Sequence, residues 1–156
     1  MGFWDIESVF RHVSGVVATS VGFMGGTVAA PTYEEVCTGK TGYSEVVMIA
    51  YDPGRISYRE LLGIYFSSSN PCSRQQGEYA GTQYEPVIFY HCGQDKQLAA
   101  EYIRELTQNG RCGKGVITQV VPASAFYRAD ECHQQFYEKM GVCYPVLHTG
   151  DQGNNE

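Results

Sequence analysis

Two periodicities stand side by side at the start of this chain, and together they limit it to folds in which helices cover a sheet. Phe3, Ile6, Val9 with Phe10, and Val13 recur at helical spacing with Asp5, Glu7 and Arg11 between them, so residues 3–14 read as an amphipathic helix. Val16 to Met24 then reads as a buried strand that stops at Gly25-Gly26. The same alternation continues downstream. Val46–Tyr51 predicts a second strand, ended by Asp52-Pro53-Gly54, and Ser57 with Glu60 makes a capping box that opens a helix to about Phe66. Val87–Tyr90 predicts a third strand, and Gln94–Asn109 a helix with Leu98, Tyr102 and Leu106 on one face and Gly110 at its C′ position. Val116–Val121 reads as a further strand and Asp130–Met140 as a short helix. No period of about 20–50 residues repeats, which removes solenoids and propellers. A single α+β unit in two layers accommodates this order.

Two long stretches interrupt the pattern: Thr27–Gly42, rich in Gly, Thr and Pro, and the polar Ser67–Tyr84. Loops of that length without structure of their own are uncommon and often functional. With 156 residues, 43% of them hydrophobic, the chain can bury a single core and is not disordered. Its formal net charge of −6 excludes nucleic acid as a partner, because phosphate binding needs a basic face. The apolar runs are too short to cross a bilayer and no signal peptide opens the chain, so a soluble protein of the cytoplasm, or of an organelle lumen, is expected. The six cysteines, Cys37, Cys72, Cys92, Cys112, Cys132 and Cys143, include no CxxC pair. The neighbours His91–Cys92 and Cys132–His133 lack the spacing of structural zinc ligands, so reduced thiols and no metal are expected. Gly25-Gly26 does not follow a dinucleotide fingerprint, and no nucleotide cofactor is implied.

Seven segments carry more specific information. They are Gly2-Phe3-Trp4, Gly22-Phe23-Met24-Gly25-Gly26, Pro31-Thr32-Tyr33-Glu34-Glu35-Val36-Cys37-Thr38-Gly39, Thr41-Gly42-Tyr43-Ser44-Glu45, Gly81-Thr82-Gln83-Tyr84, Ile88-Phe89-Tyr90 and His133-Gln134-Gln135-Phe136. In this order they closely resemble the methionine sulfoxide reductase A family, from residue 2 to about residue 145. The resemblance implies an α+β fold, a two-layer ferredoxin-like sandwich with long active-site loops, as one domain over 1–145 followed by a polar tail over 146–156. It implies reduction of methionine (S)-sulfoxide, free and in proteins, without metal or organic cofactor. A cysteine thiolate at a helix N-terminus attacks the sulfoxide sulfur, and a resolving cysteine then forms a disulfide that thioredoxin or a similar dithiol reduces. Phe3 and Trp4 match the aromatic pair around the substrate methyl group, Glu45 the acid that protonates the sulfoxide oxygen, and Tyr33 and Tyr84 the two phenols that hydrogen-bond it. The chemistry agrees: a polarised S–O group on a small apolar body calls for an aromatic cage and short O–H donors. A glutamate donates a proton near neutral pH only if burial raises its pKa, and neighbours such as Tyr43 favour that.

Two departures matter. The family carries its nucleophile between a glycine and the Phe-Trp pair, whereas here Gly2 adjoins Phe3 directly. Either one residue, cysteine or selenocysteine, belongs between Gly2 and Phe3, or Gly2 itself occupies the nucleophile position. The second case gives a relative that binds methionine sulfoxide without reducing it. The strand that precedes this motif in the family has no counterpart in the sequence, which should leave a gap or an exposed edge in the sheet. The family also has an aspartate two residues before its Gly-Thr-Gln-Tyr; here that position is Tyr79, with Glu78 beside it, and either can contribute to the oxygen-binding network.

Among the cysteines, Cys143 lies where C-terminal resolving cysteines occur in the family. Cys37 belongs to a Val-Cys-x-Gly motif and reads as a small buried hydrophobe, and Cys132 reads as a packing residue. His133 reads as a structural hydrogen-bonding histidine rather than a base. Nothing in the sequence demands more than a monomer.

Overall fold

A computed structural model describes residues 2–69, 81–110 and 115–141. The elements run α1 (Phe3–Phe10), β1 (Val16–Met24), α2 (Tyr33–Cys37), β2 (Ser44–Tyr51), α3 (Tyr58–Ser68), a 3-10 turn at Thr82–Tyr84, β3 (Val87–Tyr90), α4 (Gly93–Gln108), β4 (Gln119–Pro122), β5 (Tyr127–Arg128), a 3-10 turn at Glu131–His133 and α5 (Phe136–Lys139). None of the described helices is long and apolar enough to cross a membrane.

β1 is the centre of an antiparallel sheet ordered β2-β1-β5. Its register sets Phe23 opposite Glu45, Val21 opposite Val47 and Thr19 opposite Ile49. Side chains alternate across a strand, so these six share one face, and α1 lies on that face. Phe3 joins Val21, Phe23, Val36, Tyr43 and Ala129 in one buried cluster. Farther along α1, Phe10 meets Ile56 and Leu61 in a second cluster, with Ile6, Val13 and Ile49 against it. The third cluster, Leu62, Phe66, Ala99 and Leu106, seals α3 to α4 and packs on Ile88 and Val120 of the parallel pair β3–β4.

Several boundaries differ from expectation for physical reasons. The first helix ends at Phe10 rather than residue 14, because the chain must turn through Gly15 at φ +98° to enter β1. The stretch expected to be a loop over Thr27–Gly42 contains α2, opened by a Thr32–Glu35 capping box in which each side chain bonds the other residue's amide at about 3 Å. The strand expected from Val116 starts at Gln119, where pairing with Val87 begins. The helix expected over Asp130–Met140 is broken in two, because Gln135 is left-handed at φ +47° and Gln134 turns into the core.

The α+β character holds, with helices and strands interleaved, in the form of two small sheets among the described residues. Each presents an outer strand, β2 or β3, to a shared cleft of about 320 Å³. Consecutive residues Val46–Ile49 and Val87–Phe89 border it, which happens when strand edges rather than faces line a space. β2 and β3 thus each turn a strand edge toward the cleft.

Candidate active site

The first turn of α1 organises the site. Gly2 is its N-cap with extended backbone, so the amides of Gly2 and Phe3 point out of the helix without intrahelical partners. Two carboxylates meet them. Asp5 Oδ2 accepts the Gly2 N–H at 3.0 Å, and Glu45 Oε1, arriving from β2, accepts the Phe3 N–H at 3.2 Å. Sequence pattern places Glu45 there indirectly: its register opposite Phe23 turns it toward α1.

Glu45 is largely removed from water, and its Oε2 is buried with no hydrogen-bond partner among the described residues. Burial lifts its pKa from the ordinary carboxylate value to about 7; the Phe3 N–H works against this and the charge of Asp5 with it. At neutral pH the carboxyl therefore holds a transferable proton.

An aromatic wall stands beside it. Phe3, 1% exposed, lies 6.2 Å from the Tyr33 ring and 5.7 Å from Phe23. Trp4 stacks on Phe136 at 3.8 Å, nearly coplanar at 6°, and lies 11° from parallel with Tyr33. His133 fills the space between, 4.3 Å from the Tyr33 ring, and its Nδ1 accepts the Trp4 indole N–H at 3.3 Å. That bond requires an unprotonated Nδ1, and burial lowers the His133 pKa accordingly. The Tyr33 hydroxyl hydrogen-bonds Cys37, and burial raises the phenol well above its usual range, so it stays a neutral O–H donor. Tyr84, on the 3-10 turn, senses Tyr33 electrostatically and lines the cleft with Glu45.

The loop that carries α2 is held from behind. Tyr43 packs in the Phe3 cluster, its hydroxyl bonds the Val28 carbonyl, and its ring lies so close to Gly26 that a Cβ there would sit 2.1 Å from it. Only glycine fits that approach.

Of the residues singled out from sequence, the fold brings Phe3, Trp4, Tyr33, Glu45 and Tyr84 into one neighbourhood around Gly2. Glu78, Tyr79 and Cys143 lie outside the described residues, as do Cys72, Cys112 and the end of the domain near residue 145. Cys37 is exposed and sits beside Tyr33, not buried as expected, because α2 turns that side outward. Sequence reasoning missed the stacking of Phe136 on Trp4 and the position of Asp5. Phe136 belonged to a recognised tetrapeptide, but its partner is 132 residues away; Asp5 read only as the polar face of a helix.

The family described as peptide methionine sulfoxide reductase matches residues 2–154. The peptide methionine sulfoxide reductase MsrA of Methanoculleus marisnigri is 48% identical over 140 residues, covering 89% of this chain and 85% of the relative. The solved methionine sulfoxide reductase A of Corynebacterium diphtheriae superposes with a TM-score of 0.78 at 33% identity, covering 92% of this chain and 74% of that one. A Saccharomyces cerevisiae protein crystallised in its reduced form gives 0.82 at 28% identity, covering 93% and 84%. None of these matches favours a binding-only role. The chain belongs to the peptide methionine sulfoxide reductase family, of the A type, and its reaction is the reduction of methionine sulfoxide to methionine.

Proposed function

We propose that the reaction runs at the N-terminus of α1, on a cysteine or selenocysteine placed between Gly2 and Phe3, with Glu45 as the acid. The observation that carries this reading is the Glu45 carboxyl, protonated near neutral pH and set against the Phe3 amide beside the aromatic wall. The methyl group of the substrate lies against Phe3 and Trp4, and its oxygen accepts from Tyr33 and Tyr84. The nucleophile's thiolate or selenolate attacks the sulfoxide sulfur while Glu45 delivers a proton to the oxygen. The protonated oxygen passes from the substrate sulfur to the nucleophile as the S–O bond and the new bond between substrate and nucleophile break, so methionine leaves reduced and the nucleophile is oxidised to the sulfenic or selenenic acid. Cys143 then attacks that sulfur or selenium, water departs, and the resulting bond is reduced by thioredoxin or a similar dithiol. Glu78 and Tyr79 extend the oxygen-binding network from the second loop.

The finer fold reading is a two-layer ferredoxin-like sandwich. Its support is the order α1-β1-α2-β2-α3-β3, which is the βαββαβ pattern without a leading strand once the five-residue α2 is counted as part of the connection from β1 to β2, and the cleft between β2 and β3 where such a strand would pair. The protein acts as a monomer on free methionine sulfoxide and on oxidised proteins. The described cysteines Cys37, Cys92 and Cys132 are free thiols, which suits a reducing compartment such as the cytoplasm.

Two measurements test this. The intact mass of the purified protein, before and after alkylation, should exceed that of the 156-residue chain by one cysteine or selenocysteine with one additional alkylated site. The same protein should reduce the S but not the R epimer of methionine sulfoxide with dithiothreitol. A mass equal to that of the chain, with sulfoxide bound and not turned over, would refute the reading.

A further inference from the structure

Asp5 takes no part in the chemistry above, yet it is the other carboxyl at the reacting turn. It is 3% exposed, and both its oxygens are fixed: Oδ2 accepts the Gly2 N–H at 3.0 Å and Oδ1 accepts the Tyr137 hydroxyl at 2.6 Å. No cation pairs with it among the described residues. Glu45 grips the next amide along, that of Phe3. Two carboxyl groups held near each other at one helix end and out of water cannot easily both carry charge. The Tyr137 hydroxyl donates to Asp5 Oδ1, whereas Glu45 Oε2 has no donor among the described residues.

We propose that Asp5, anchored by Tyr137, is a positioning residue that fixes the first turn of α1 and acts through its charge on the neighbouring Glu45 carboxyl. The proposal rests on Glu45 being the acid. It adds a fourth anchor between α1 and the segment from His133 onward to the three already present: Trp4 to His133, Glu7 to the Gln135 amide at 2.7 Å, and Arg11 to Glu138 at 2.6 Å. Among the described residues, the other groups near Glu45 include Tyr33 and Cys37 on α2 and the chain's amino terminus, with Tyr84, Glu85, His91 and Asp95 lining the same cleft. The phenols and the Cys37 thiol are neutral in the relevant range, since burial raises Tyr33 and Cys37. Asp5 is thus the anionic neighbour on the same turn.

The test is the titration of the Glu45 side-chain carboxyl by 13C NMR in glutamate-labelled protein, with Glu45→Gln to assign the signal. Asp5→Asn keeps the shape and an oxygen for the Gly2 amide while removing the charge; it should lower the Glu45 midpoint by about one pH unit. Asp5→Ser should give the same shift and serves if the asparagine variant does not fold. In reductase assays of the nucleophile-bearing protein, Asp5→Asn should move the alkaline limb of kcat/KM down by the same interval, with KM for the sulfoxide little changed. A midpoint unmoved in both variants, even with a lower Tm, would make Asp5 a structural cap only and overturn the proposal. The NMR reading needs no turnover, so it can fail while the reduction mechanism stands. Conversely, a Glu45→Gln variant that keeps full reductase activity would sink the assignment of the acid and leave the titration result intact.

Discussion

Glu45 shows how a single side chain ties chemistry to stability. Its carboxyl has a folded pKa near 7 against an ordinary value of 4.5, chiefly because burial disfavours the charge. For an acid whose pKa is raised by folding, the native state binds the extra proton between those values, so stability falls as pH rises from about 4.5 to about 7 and is flat above. The span corresponds to a loss of about 3 kcal/mol. Chemical denaturation at pH 4.5 and pH 8 should show this loss in the wild type and its absence in Glu45→Gln, after subtracting the titration of other groups. If Glu45 is the acid, as proposed, reduction should also fail above about pH 7 as the donor proton is lost. Coincident midpoints in the two experiments are the expected result; a pH-independent difference between wild type and variant would contradict it. Glu45 itself was readable from its Tyr-Ser-Glu setting, but its burial was not, since that depends on Phe23 and Phe3 meeting across β1 and α1.

At the scale of elements, the junction between β1 and the segment before α5 carries a large share of the specificity. Gln134 is fully buried and does the work of a strand: its Oε1 accepts the Val21 N–H at 2.8 Å, and its Nε2 donates to the carbonyls of Val21 and Ala129, both at 2.9 Å. β5 is only two residues long and could not extend the ladder this far by itself. Gln134→Ala leaves a buried amide and a buried carbonyl short of partners and should cost about 2–3 kcal/mol in urea unfolding. It should also disturb His133, the acceptor for Trp4, and so raise KM for sulfoxide. An effect below about 0.5 kcal/mol, the scale of an ordinary surface substitution, would show that water replaces the side chain. The left-handed Gln135 belongs to the same joint, since only that kink lets Gln134 point inward while the Gln135 amide reaches Glu7. A helix period running through Asp130–Met140 hides this break. α2, by contrast, was announced by Thr32 and Glu35 at capping-box spacing, and was overlooked because its five residues are too few to show a period.

Among the described residues the molecule is two small sheets joined through helices, with a cleft of about 320 Å³ between β2 and β3. A long apolar strand edge left open is an aggregation liability and a vacant pairing site. A variant with about six extended, apolar residues appended ahead of Met1 should therefore gain thermal stability and protect the amides of Val46–Ile49 and Val87–Phe89 from hydrogen exchange. Protection at neither edge would show that the sheets stay independent. What the sequence determined by itself was local or pairwise in the chain: the strand Val16–Met24, the strand Val87–Tyr90, the Ser57 cap, Gly110 as a helix stop, and the segments that mark the family. These depend on periodicity, capping and backbone sterics, which act over a few residues. Tertiary structure alone decided that Glu45 is dry, that Asp5 shares its turn, that Trp4 rests on Phe136, and that Gln134 completes β1. Each of those depends on a partner far away in sequence, and burial, charge and hydrogen bonding are properties of the neighbours a side chain meets only after folding.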